Sequence, residues 1–214
     1  MTRVLLTGFE PFAGADINPS WQAVSLAADR PPPGMDVTAV QLSCVFGRAL
    51  EELDAAVEAA DPDLVLCVGQ AGGRPGITVE RVAINVDDAR ISDNAGRQPI
   101  DEPVVEGGPA AYFAPLPIKA CVAAVRAAAI PAAVSHTAGT FVCNHVFYGL
   151  AHLIATRRPA VRGGFVHVPY APEQVLNGAE PSLPAATVAE ALRLIIATAV
   201  GTETDLRVAE GATH

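Results

Sequence analysis

Cys143 is the residue of this sequence best placed for chemistry. It follows the small-residue turn Ala138-Gly139-Thr140 and opens a helical pattern carried by Val146, Phe147, Leu150, Leu153 and Ile154. Before the turn runs the apolar stretch Ile130 to Val134. Strand, turn, helix is a layout that exposes a nucleophile at the top of an α/β sheet. A thiol at that point meets unpaired helix N–H groups and the positive end of the helix dipole. Both favour the thiolate, the form that attacks carbonyls. The other cysteines read as small hydrophobes: Cys67 lies inside Leu64-Val65-Leu66-Cys67-Val68, Cys121 lies in an Ala/Val helical pattern, and Cys44 follows no such turn.

A cysteine nucleophile needs a base. His145, two residues on, points about 200° away round the helix axis. His152 is too far down the same helix, His136 precedes the turn, and His214 falls in the tail. His167 closes a later strand. In a parallel sheet that end shares an edge with the start of the preceding helix, which makes His167 the best base. The alternative is a histidine satisfied within the sheet. Glu80 and Arg81 interrupt the apolar run Ile77 to Ile84. They form either a surface ion pair on an edge strand or a carboxylate aimed into the site, where Glu80 would orient the imidazole.

The elements that must hold these residues alternate along the chain. Strands are predicted at Arg3–Thr7, Val37–Ser43, Asp63–Val68, Ile77–Ile84, before the Ala138-Gly139-Thr140 turn, and at Gly163–Pro169. Helices are predicted from Asn18 (N-cap) and Pro19 to about Asp29, over Gly47–Ala60 and Pro117–Ala129, from Cys143 to about Arg157, and over Pro184–Val200. The alternation predicts a single-domain α/β/α sandwich with a mostly parallel, twisted central sheet. Asn85 to Glu106 reads as a long irregular excursion, of the kind that is usually functional or mobile. Gly201 to His214 reads as a loosely ordered tail. Phe9 and Phe12, in the Gly/Pro loop after the first strand, either plug the core or wall an apolar pocket at the strand end.

The 214 residues are half apolar, enough for a substantial core, and carry a formal charge of −9. That charge argues against nucleic acid or an anionic membrane as partner. No run reaches the roughly 18 apolar residues of a membrane helix. Four scattered cysteines without a CxxC, and a short apolar start, suggest a reducing cytoplasm. The loop Gly69 to Gly76 lacks the GxGxxG spacing and leads into a strand pattern, which argues against a dinucleotide fingerprint. No HExxH or paired Cys/His spacing supports a metal.

Several motifs together resemble one family. They are Gly8-Phe9-Glu10-Pro11-Phe12 with Asn18-Pro19-Ser20-Trp21, Glu80-Arg81-Val82-Ala83-Ile84-Asn85, Asp88-Ala89-Arg90, Ala138 to His145, and His167-Val168-Pro169-Tyr170. Spread from Arg3 to Gln174, they are similar to pyroglutamyl peptidase I, the pyrrolidone carboxyl peptidases. The resemblance implies a cysteine exopeptidase that removes an N-terminal pyroglutamyl residue from peptides through a thioester acyl-enzyme, with no cofactor and no metal. It implies Cys143 as nucleophile, His167 as base and Glu80 as orienter, with Arg90 and the Cys143 N–H holding the oxyanion. Phe9, Phe12, Phe141 and Val142 would enclose the lactam ring, with Asn18 and the backbone near Gln70 also binding substrate. A dimer or tetramer is a possible assembly. Ala13 stands where the family pattern leads one to expect glycine. Two readings from other classes remain: a nucleoside or nucleotide binder using Gly69 to Gly76 as an anion loop, and a catalytically silent binding protein on the same scaffold.

Overall fold

The computed structural model describes residues 1–211. The strands are β1 (Thr2–Phe9), β2 (Met35–Leu42), β3 (Leu64–Gln70), β4 (Ile77–Glu80), β5 (Val82–Ile84), β6 (Ala111–Phe113), β7 (Ala132–Ser135) and β8 (Arg162–Val168). The helices are α1 (Pro19–Ala28), α2 (Arg48–Ala60), α3 (Ile118–Ala127), α4 (Val142–Thr156) and α5 (Ala185–Gly201). Six strands form the central sheet in the order β2-β1-β3-β8-β4-β7. The strand periodicity of two sorts its side chains between two cores. Val4 and Leu6 of β1, Leu66 and Val68 of β3, and Val166 and Val168 of β8 pack with α1, α3 and α5. Leu5, Val65, Cys67 and Phe165 pack on the other face with α2 and α4. Burial on both faces is why these strands read as continuous apolar runs.

The sheet is mostly, and not wholly, parallel. β1 pairs in parallel with β2 and β3, and β3 with β8, but β4 runs antiparallel to β8, with Thr78 opposite His167. β7 then lies parallel to β4. The six residues between β3 and β4 carry no crossover helix, so the chain must come back in the opposite direction. The predicted strand Ile77–Ile84 is therefore two strands. It breaks at Arg81, and β5 leaves the main sheet to pair with β6, a strand that three residues between Pro/Gly clusters did not announce. Because β7 descends against β8, residues 136–141 must climb back to the start of α4, and the expected short turn becomes a longer return.

At Ala13 the loop after β1 enters the left-handed region (φ 52°), where glycine is the least strained residue. The tail differs from expectation as well. Asp205 accepts from the N–H groups of Lys119 (3.1 Å) and Ala120 (2.9 Å) at the start of α3, and Glu210 pairs with Arg126 at 2.6 Å. These bonds fasten the segment after α5 onto α3. Residues 212–214, His214 among them, lie outside the described residues.

Candidate active site

Three adjacent strands bring their α4-facing positions together. On β8, Val166 and Val168 face the α1/α5 core, so Phe165 and His167 face α4. On β4, Ile77 and Val79 face the α1/α5 side, so Thr78 and Glu80 face α4. Gly69 of β3 stands beside His167. A side chain at Gly69 would place its Cβ 2.7 Å from Cys143 Sγ and 2.9 Å from the Phe165 ring. The glycine is the space into which the sulfur fits. Cys143 occupies the second position of α4, and Phe141 at the N-cap supplies no side-chain acceptor, so capping leaves the first-turn N–H groups free.

His167 Nδ1 lies 2.7 Å from Glu80 Oε1, and both side chains are buried. Opposite an ionised carboxylate Nδ1 carries the proton, which leaves Nε2 as the basic nitrogen. Arg74 Nη1 donates to the same Glu80 oxygen at 2.6 Å and to Thr78 Oγ1, while Nη2 donates at 2.9 Å to the carbonyl of Thr137, in the return that leads to Cys143. Burial works to raise the Glu80 pKa, but the His167 hydrogen bond and the charges of His167 and Arg74 prevail and hold it below its ordinary value. Burial lowers the His167 pKa; Glu80 opposes that shift and Arg74 assists it. The Cys143 thiol is pushed well above its ordinary value, first by burial and then by Cys44 and Glu80, against the pull of Arg74. Burial thus favours the uncharged forms of both Cys143 and His167 and opposes the help that the helix start gives the thiolate.

Cys143 and His167 line one cavity of about 230 Å³ together with Phe9, Phe12, Asn18, Gln70 and Phe141. The Phe12 and Phe141 rings stand 6.2 Å apart, and Phe46 meets Phe141 edge-on at 5.3 Å. Asn18 also holds the loop in place: Oδ1 accepts from Ser20 N–H and Nδ2 donates to the Glu10 carbonyl. Val142 is buried in the α2/α4 core and Arg90 is exposed on the excursion; neither lines this cavity. The guanidinium that does reach it is Arg74, which the sequence reading passed over inside a glycine loop. Cys44 also lines it, with its thiol pushed up to about 12 by burial and by the charges of Glu10 and Asp93. Glu80 is neither on an edge strand nor paired with Arg81.

Beside Cys143, Asn144 and His145 bind the excursion. Asn144 accepts from the Ile84 N–H and donates to the Ile84 and Val86 carbonyls. His145 Nδ1 meets Asp87 at 2.7 Å, and its Nε2 accepts from the Gly47 N–H. A histidine so engaged is structural, as its direction round the helix requires.

The chain is similar to known proteins in sequence and in fold. The chain is 68% identical over its whole length, and that of its relative, to a pyrrolidone-carboxylate peptidase of Streptomyces coelicolor, and 59% identical, again over both whole chains, to one of Erwinia tasmaniensis. The crystal structure of pyroglutamyl peptidase I of Bacillus amyloliquefaciens superposes with a TM-score of 0.94 at 48% identity, covering 96% of this chain and 100% of that one. A variant pyrrolidone carboxyl peptidase of Pyrococcus furiosus gives 0.90 at 40% identity, over 94% and 99%. The family model of pyroglutamyl peptidase matches residues 2–202, and on that match and these identities the chain belongs to the pyroglutamyl peptidase family.

Proposed function

We propose that the family's reaction, hydrolysis of the bond after an N-terminal pyroglutamyl residue, is carried in this chain by Cys143, His167 and Glu80. The observation that supports this most is the 2.7 Å pairing of His167 Nδ1 with buried Glu80 in a cavity that also holds Cys143. The Cys143 proton passes to His167 Nε2 as Sγ attacks the pyroglutamyl carbonyl. The oxyanion meets the N–H of Cys143 at the start of α4. The departing amine takes the proton from His167 and leaves a thioester. Water, deprotonated by His167, then releases pyroglutamate and regenerates the thiol.

The cavity suits a neutral lactam. Apolar rings cover its faces, and the polar groups near Gln70 serve its amide. A prolyl residue would bring a charged amine into the same rings without a carboxylate partner, which is costly. Val142 contributes by seating the start of α4. Arg90 enters on the resemblance alone: a lower kcat in Arg90→Gln with unchanged alkylation of Cys143 would support its oxyanion role, and an unchanged kcat/KM removes it. Four free cysteines, including the nucleophile, suit a reducing cytoplasm as the place of work.

The test is a chromogenic pyroglutamyl amide beside a prolyl amide. The parent cleaves the first only. Cys143→Ala lowers kcat/KM by at least about 10³-fold with an unchanged far-ultraviolet circular dichroism spectrum. Turnover surviving in the folded variant overturns the thiol mechanism.

A further inference from the structure

The catalytic cavity is small and ring-lined, so the rest of a peptide must leave it beyond the scissile bond. A second void of about 640 Å³ adjoins it: Phe12 and Gln70 line both. Its walls are the loop 12–17 on one side and Tyr170, Glu173 and Gln174 on the other. Gln174 Nε2 ties these walls together, 3.2 Å from Gln70 Oε1 and 3.4 Å from the Ile17 carbonyl. A third void of about 510 Å³ continues past Tyr170 and Glu173 to Glu180. Among the described residues, the ionisable carboxylates along this course are Asp16, Glu173 and Glu180, and no lysine, arginine or histidine lines it. Among the described residues none of the three is in an ion pair. Among those residues their charge is therefore unspent.

We propose that this groove receives the peptide on the leaving side, and that its carboxylates make the enzyme prefer Lys or Arg over Asp or Glu in the first two positions after pyroglutamate. This rests on the reading of Cys143 as nucleophile, since that fixes where the leaving side begins. The groove is continuous with the catalytic cavity through two shared residues, and the one charge sign along it is complementary to a basic side chain and to the amine released on cleavage. The carboxylates are exposed, so each contributes modestly, about two- to fivefold in kcat/KM. The contribution is screened by salt.

The experiment compares pyroglutamyl dipeptide and tripeptide amides with Lys or Glu at the first or second position after pyroglutamate. At low ionic strength the Lys peptide is favoured over its Glu partner at one position or both. The ratio shrinks as ionic strength is raised to about 0.5 M. In the double variant Asp16→Asn with Glu173→Gln the ratio falls toward one; because it is taken within each protein, any general loss of rate cancels. A ratio near one in the parent, a preference for Glu, or a Lys preference that survives the double variant overturns the groove. The parent's turnover of the chromogenic pyroglutamyl amide, which has no residue on the leaving side, separates that failure from a failure of the catalytic reading itself.

Discussion

At the scale of single residues, Glu80 Oε1 is the point on which the site turns, because it serves His167 and Arg74 at once. The two neighbours of the imidazole act on it with opposite sign: Glu80 raises the His167 pKa and Arg74 lowers it. Arg74 also favours the Cys143 thiolate, which Glu80 opposes. On the proposed mechanism, activity requires neutral His167 and a Cys143 thiol that can lose its proton. Arg74→Gln should therefore move the acidic limb of kcat/KM to higher pH and slow alkylation of Cys143 at a fixed pH. Glu80→Gln should move the same limb to lower pH while reducing the rate. Lost positioning adds a fall of up to about 100-fold in either case. A rate loss with no displacement of the limb in Arg74→Gln would leave Arg74 a purely structural residue. Cys143, His167 and Glu80 were legible by type and place: a thiol after a glycine turn, an imidazole at a strand end, a carboxylate inside an apolar run. Arg74 was not, since an arginine in a Gly/Pro loop carries no periodic signal and its partners lie on other segments.

At the scale of elements, the alternation of strands and helices carried the α/β/α layering, because an apolar run buried on both faces differs visibly from an amphipathic helix. Direction was less visible. Ile77 to Ile84 reads as one strand, since apolar residues resume at Val82 directly after Glu80 and Arg81, while the chain changes sheets there. The reversal of β4 and β7 follows from the short link 71–76, which leaves no room for a crossover. The tail misled for a similar reason. Polar composition suggests solvent, yet Asp205 reaches back to satisfy the first amides of α3, whose N-cap residue is Pro117 with no side-chain acceptor. Asp205→Ala should lower stability by about 1 kcal/mol, the usual loss of a helix cap, with kcat/KM unchanged; an unaltered denaturation midpoint would make the contact incidental.

At the scale of the whole molecule, Cys143 is held from two sides. The sheet supplies Gly69, His167 and Glu80. The excursion 85–106 is held through Asn144 and His145, and through Asp93, which accepts from the Phe46 N–H at 2.9 Å. Segments of this kind, rich in loop and tied by a few side chains, open at lower free energy than a buried sheet. Activity should therefore be lost at a lower denaturant concentration than far-ultraviolet ellipticity, and His145→Gln should widen that interval. Coincident transitions in both proteins would show that excursion and sheet unfold as one. The two residues that follow Cys143 are spent on gripping this segment, so the peptidase has little freedom to vary just after Cys143. A stored sample can keep every helix and still be dead; specific activity, and not a melting curve, is the measure of how much intact enzyme it contains.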